Sequence, residues 1–350
     1  MTASVAPNER NSKNRITILD YDSLGTNMRS LLIFALPLLA SAGPYVATIE
    51  KVSGTVGFYS ESGQNEGRVK VGAFPHEAVL SRDGKLLFVS NNGVLWMTED
   101  TMGTNSISVV DVSSKKKLYD IDLGRFHRPH GLALIPKTGH LLVTTERPYG
   151  LILVDPAKRT VVRDFDVKGK SPHMVMLSSD GNLAFVSNTD SASVAVIEVA
   201  TGAVRLIPTG EKPQGGAFSK DGKLLYVATS GANCITIVDT KTFQVIGTIA
   251  TGKGPGRIAV TPDGKTLVYN MQLEPALGFA DISTRKQTTV IPLPGKPLSL
   301  TMTNDGRRAF SGLQELDKVV FISVVDRKIE RTIDTPKSSG PDPVIPLGSR

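Results

Sequence analysis

The chain of 350 residues has one cysteine, Cys234, and one tryptophan, Trp96. A single thiol makes no intramolecular disulfide, so the fold must rest on packing. Aromatic residues are only 6% of the chain, and small β-formers take their place in the apolar runs. Five histidines are too few for an imidazole-rich multi-copper cluster. The apolar run from Leu31 to Ala40 falls short of the ~20 residues that span a bilayer, so the chain is not expected to cross a membrane. The formal charge is +7, but Lys115-Lys116-Lys117 is the only tight cationic run. The other cations, such as Arg82, Lys85, Lys220 and Lys223, fall mostly at turns. Scattered loop cations read as a solvated surface and argue against a nucleic-acid partner.

A repeat organises the rest. Prolines at 75, 129, 172, 213, 255, 297 and 341 are separated by 54, 43, 41, 42, 42 and 44 residues. A second ruler follows: Asp83-Gly84, Asp180-Gly181, Asp221-Gly222, Asp263-Gly264 and Asp305-Gly306, with Thr138-Gly139 in the second unit. Asp-Gly between two apolar runs predicts a tight hairpin with positive φ angles. A β-rich third run and a fourth run ending at glycine complete each unit. No interval leaves room for a normal helix. Four short strands in about 40–45 residues are the pattern of a β-propeller blade.

Closure is also legible. Tyr45–Ala47, Thr55–Tyr59 and Gly67–Gly72 match strands two, three and four of a unit, and Gly340–Leu347 matches strand one. The two ends are expected to share a seventh blade, which leaves no open sheet edge. The predicted fold is an all-β, seven-bladed propeller over 43–350, with four antiparallel strands per blade and an N/C-terminal clasp.

Ahead of the ring, 28–42 reads as a signal peptide, with Arg29, an apolar run and Ala40-Ser41-Ala42 as the cleavage site. Residues 1–27 read as a polar extension or a misassigned start, with translation beginning at Met28. A periplasmic or secreted protein is expected. The leader carries four cations and three acids, so the mature chain is about +6.

Leu224–Thr229, Ile235–Thr240 and Val245–Gly252 resemble the YVTN-repeat, YncE-like seven-bladed propellers, and the likeness runs from about Tyr45 to the end. It implies a bacterial propeller, secreted or at the cell surface, in a group with no common reaction. Lactonase-type and haem d1-type propellers have a similar repeat pattern. The repeated Trp-Asp pairs of WD40 blades, the Trp docking motifs of quinone-type propellers and Cys-x-x-Cys-His are all absent.

The residue after each opening proline occupies one equivalent place per blade. Round the ring it is Asp342, His76, His130, His173, Gln214, Arg257 and Leu298, with Pro343-Val344 an alternative register for the first. This place should begin the innermost strand and ring the channel mouth. The loop after strand two returns to the same face. In the first blade that loop is the insertion Asn92–Gly103, with Trp96, Met97 and Met102; in the second it is Glu146-Arg147-Pro148-Tyr149. Each Pro-His alone reads as a backbone-satisfying strand start, and duplication would copy it. Glu146 with Arg147 reads first as a loop salt bridge.

Three functions remain open. The first is a binding scaffold for an unidentified ligand or envelope protein, using His76, His130, His173, Gln214, Arg257 and Trp96, and acting as a monomer. The second is a lactonase-type hydrolase, with His130 or His76 as base, Arg147 or Arg257 as the cation, and Glu146 a further catalytic candidate. The third is a mononuclear Zn, Cu or Ni site on His76, His130, His173 and Asp342.

Overall fold

The computed structural model describes residues 45–347; the expected extension 1–27 and leader 28–42 lie outside them. The described residues form seven four-stranded antiparallel sheets and two single-turn 3₁₀ segments. The closing sheet runs in the order Pro341–Pro346, Val46–Glu50, Thr55–Tyr59, Asn65–Lys70, so the last strand is its innermost and the two ends clasp as expected. The innermost strands of blades one to six are Pro75–Leu80, His127–Leu134, Pro172–Leu177, Pro213–Phe218, Pro255–Val260 and Thr301–Met302. Each touches the next round the ring, and Pro341–Pro346 closes it onto Pro75–Leu80.

The middle strands are buried on both faces and therefore read as continuous apolar runs. Successive side chains of Leu141-Leu142-Val143 enter different cores: Leu141 and Val143 pack against blade one, Leu142 against blade three. This is the period of two of a strand placed between two neighbours. Seven buried clusters result, one at each blade–blade seam. The last joins Val46, Tyr59 and Val344 of the clasp to Phe310, Val319 and Phe321 of blade six.

Two expectations change. In the Asp-Gly turns only the glycine takes positive φ, as at Gly84 and Gly222. The aspartate instead accepts a hydrogen bond from a hydroxyl two residues earlier, Ser81 to Asp83 at 2.6 Å and Ser219 to Asp221 at 2.7 Å. The turn is therefore a longer loop closed by a side chain, and the motif is Ser/Thr-x-Asp-Gly. In blade six the first strand begins at Thr301, not beside Pro297. The Pro297 carbonyl accepts from Asn270 of blade five, and Ser299 donates to the Asp342 carbonyl of the clasp. Bonds to neighbouring blades thus replace regular pairing there.

Candidate functional site

The strand starts are built to turn one side chain inward. In blades one to five the pairing of strand one with strand two shifts register just after the opening proline, between Pro75 and Ala78 in blade one and between Pro129 and Leu132 in blade two. A bulge re-aims the residue it contains. His76, His130, His173, Gln214 and Arg257 all sit in these bulges. The bulge backbones are fixed from the preceding blade: Ser90 donates to the His130 carbonyl at 2.8 Å, and Thr144 to the His173 carbonyl at 2.7 Å. Gly131 lets blades two and three meet, because a Cβ there would lie 2.6 Å from the His173 carbonyl oxygen.

The three histidines come together. The rings of His76 and His130 are 3.9 Å apart at 89°, and those of His130 and His173 are 4.2 Å apart at 46°. One ring nitrogen from each lies within 4.8 Å of the others. His130 is fully buried, and neither of its ring nitrogens has a hydrogen-bond partner; His173 Nδ1 is also buried and unpartnered. Burial lowers the pKa of all three, well below the usual range for His130 and His173; the charge of Lys51 reinforces this at each, and that of Arg257 at His130 and His173. Three neutral imidazoles with free lone pairs result, which is the form that binds metal. His127 and His140 lie elsewhere, beside the Arg125 carbonyl and 3.6 Å from Asp155.

Pro341 takes the register of an opening proline, opposite Glu50 with a register shift beside it, so Asp342 fills the slot and the Pro343-Val344 alternative falls away. Asp342 Oδ2 is 3.2 Å from His76 Nδ1, close to the neutral ring but without hydrogen-bond alignment, and 3.7 Å from Lys51 Nζ. Burial opposes its ionisation, but the neighbouring His76 and the charges of Lys51 and Arg257 outweigh it and hold the carboxyl below its usual range. Across the channel, Arg257 pairs with Glu77 of blade one.

Above the histidines lies a chamber of about 320 Å³, bounded by Lys51, His76, His173, Gln214, Arg257 and Leu298, with Leu95, Trp96 and Met97 of the insertion as one wall. The insertion overhangs the site as its sequence position suggests, and Lys51 Nζ is 5.8 Å from the Trp96 ring centre. On the other side of Met97 and Thr98 is a larger cavity of about 770 Å³. Glu146 and Arg147 line that second cavity rather than the chamber. They do not form the expected loop salt bridge. Glu146 pairs with buried Arg128 at 2.8 Å and Arg147 with Asp100 at 2.7 Å. Arg128 also donates to the carbonyls of Met97 and Glu99 and so pins the flap, a role that sequence reasoning missed. Lys51 was missed too, although it follows strand two of the clasp, where the loop rule places it at the mouth.

With this geometry in hand, similarity to known proteins adds to the reading. No protein-family model matches the chain. It is 26% identical to YncE of Salmonella typhimurium over 166 residues, 46% of this chain and 44% of that one. The chain is a seven-bladed propeller similar to YncE. This YncE-like propeller is also 25% identical to NirF of Stutzerimonas stutzeri over 211 residues, 56% of this chain and 54% of NirF. The matches thus span about half the length of these relatives. Among solved structures, the periplasmic gluconolactonase PpgL of Pseudomonas aeruginosa superposes with a TM-score of 0.70 at 16% identity, covering 87% of this chain and 99% of PpgL. That likeness concerns the fold. Among the described residues, no helix is long and apolar enough to cross a membrane.

Proposed function

We propose that this YncE-like propeller is an exported binding module whose working site is a mononuclear metal centre at the channel mouth, held by His76, His130 and His173. The observation that carries the reading is the convergence of three imidazoles around a buried His130 with two unpartnered ring nitrogens. A buried polar group without a partner costs about 1–3 kcal/mol, so such a ring calls for a partner. Tetrahedral bonds of ~2.0–2.1 Å put ligand nitrogens roughly 3.3 Å apart, so ring shifts of under about an ångström complete the set. Imidazole ligation suits Zn, Cu or Ni. Asp342 Oδ2 stands 3.2 Å behind the first ligand, where a small turn of the ring gives it the hydrogen bond that a carboxylate makes to metal-bound histidine.

The test is metal content after purified protein is equilibrated with Zn²⁺ and desalted. We expect about one ion per chain, sharp loss in His173→Ala, and no change in His140→Ala. Equal metal in all three proteins would sink the proposal. The hydrolase reading has one observation in its favour: Lys51 and Arg257 bound the same chamber as His76 and His173. Cations beside a metal-bound water are what ester or lactone opening requires. Hydrolysis of a lactone by Zn²⁺-loaded protein, absent from metal-free protein, separates the enzyme from the binding module.

A further inference from the structure

The chamber above the histidines has a charge balance that identifies what else it takes. Lys51 and Asp342 offset one another, as do Arg257 and Glu77. Three neutral imidazoles then leave the double charge of a divalent ion uncompensated in a buried place, and a buried charge is costly unless it is paired. Both cations are nearly inaccessible, with Lys51 4% and Arg257 9% exposed. Yet Arg257 Nη1 has no hydrogen-bond partner while its side chain bounds the chamber. A further group of negative charge satisfies the ion and the free guanidinium together.

The walls add size and shape. About 320 Å³ holds roughly ten water-sized volumes, more than an inorganic anion fills. Leu95, Trp96 and Met97 form an apolar cover on one side, and Leu298 lies among the other walls. Gln214 and Gln272 supply amides at the edge, and Gln272 Nε2 is already used on the Leu298 carbonyl at 3.1 Å.

Resting on the metal reading, we propose that the chamber takes a small organic carboxylate. One carboxylate oxygen completes the coordination of the histidine-held ion, Arg257 and Lys51 flank the other, and the carbon body lies against Trp96. The geometry is that of a first-sphere ligand site with an apolar lid, so selection acts on the carboxylate and on the bulk beneath the insertion.

Benzoate is the probe and benzamide its uncharged twin. Trp96 is the only tryptophan and bounds the chamber, so the indole emission comes from this one wall. Co²⁺-loaded and metal-free protein are titrated with each compound while Trp96 emission and the visible Co²⁺ bands are followed, and metal content is measured on the same samples. We expect benzoate to move both signals saturably, with about tenfold weaker binding by benzamide, by metal-free protein and by Lys51→Met, which is one affinity step of about 1.4 kcal/mol. Protein that takes up no Co²⁺ overturns the metal reading and the carboxylate with it. Protein that holds Co²⁺ but whose bands ignore benzoate overturns only the carboxylate. Equal binding of benzoate and benzamide, or of benzoate with and without metal, also removes it.

Discussion

His130→Leu separates a histidine kept for a ligand from one kept for the fold. The wild-type ring is fully buried between two other imidazoles, and neither nitrogen is bonded. An unsatisfied buried polar group costs about 1–3 kcal/mol, and the ring contacts return about 0.5–1.5 kcal/mol. Leucine fills a similar space with no polar atom. The metal-free variant should therefore be more stable than the wild type, by about 1 kcal/mol on the midpoints of these figures, which raises the melting midpoint by about 1–2 °C in a chain of this size. Zinc reverses the order. At a hundredfold excess over its dissociation constant a ligand adds about 2.7 kcal/mol to the protein that binds it. The wild type gains this and the variant does not. Urea titrations of both proteins, with EDTA and with Zn²⁺, read the crossover directly. If the metal-free variant is less stable by 2 kcal/mol or more, taking the upper half of that penalty range as the margin, the ring makes favourable interactions of its own and the reasoning fails. If zinc stabilises both proteins equally, His130 is no ligand.

Glu146 gives a pH test at a second place. Burial outweighs the attraction of Arg128 and pushes its carboxyl from 4.5 up to about 7. A carboxyl whose pKa is raised by folding contributes stability that is present below pH 4.5 and lost as pH climbs through 7. At about 1.4 kcal/mol for each tenfold change in proton affinity, the stability of wild type relative to Glu146→Gln should fall by roughly 3 kcal/mol between pH 4.5 and 8; parallel curves in urea would refute it. Export, motivated by Ala40-Ser41-Ala42 behind the apolar run, predicts a mature chain that begins at Gly43. N-terminal sequencing of extracytoplasmic protein checks this, and an intact Met1 in the cytosol disproves it.

The architecture was legible because its signals are local. Proline at a strand start and Ser/Thr-x-Asp-Gly at a hairpin recur in sequence whatever the blade packs against. The clasp followed from counting strands at the two ends. Convergence of the histidines was legible only as a shared slot, since ring direction depends on a bulge and on bonds from the preceding blade. Glu77 and Arg128 could not be found by that ruler. Glu77 lies one place past the slot, and its partner Arg257 is on blade five. Arg128 lies one place before Pro129, where a positive φ of 54° turns it back toward Glu146 and the flap. Lys51 was within reach of the loop rule, had the rule been carried to the clasp. The bond between Glu146 and Arg147 failed because adjacent residues on a strand point to opposite sides.

Duplication explains why three blades carry Pro-His, but not why the three rings meet. A copied blade would copy its neighbours as well, and here the surrounding positions differ. The residue after each slot histidine is Glu77, Gly131 or Met174. Of these, Gly131 removes a collision with the His173 backbone that any side chain would cause, and Glu77 holds Arg257 across the channel. The slot in the clasp is Asp342, against His76, and beside it stands Lys51 from the strand that the clasp brings round. Asp342 and Lys51 are 291 positions apart in sequence and meet only because the ring shuts. Closure of the fold and completion of the site are thus one event. These four blade-specific residues lie where the imidazoles converge, which is where a ligand would need them and simple repetition would not supply them.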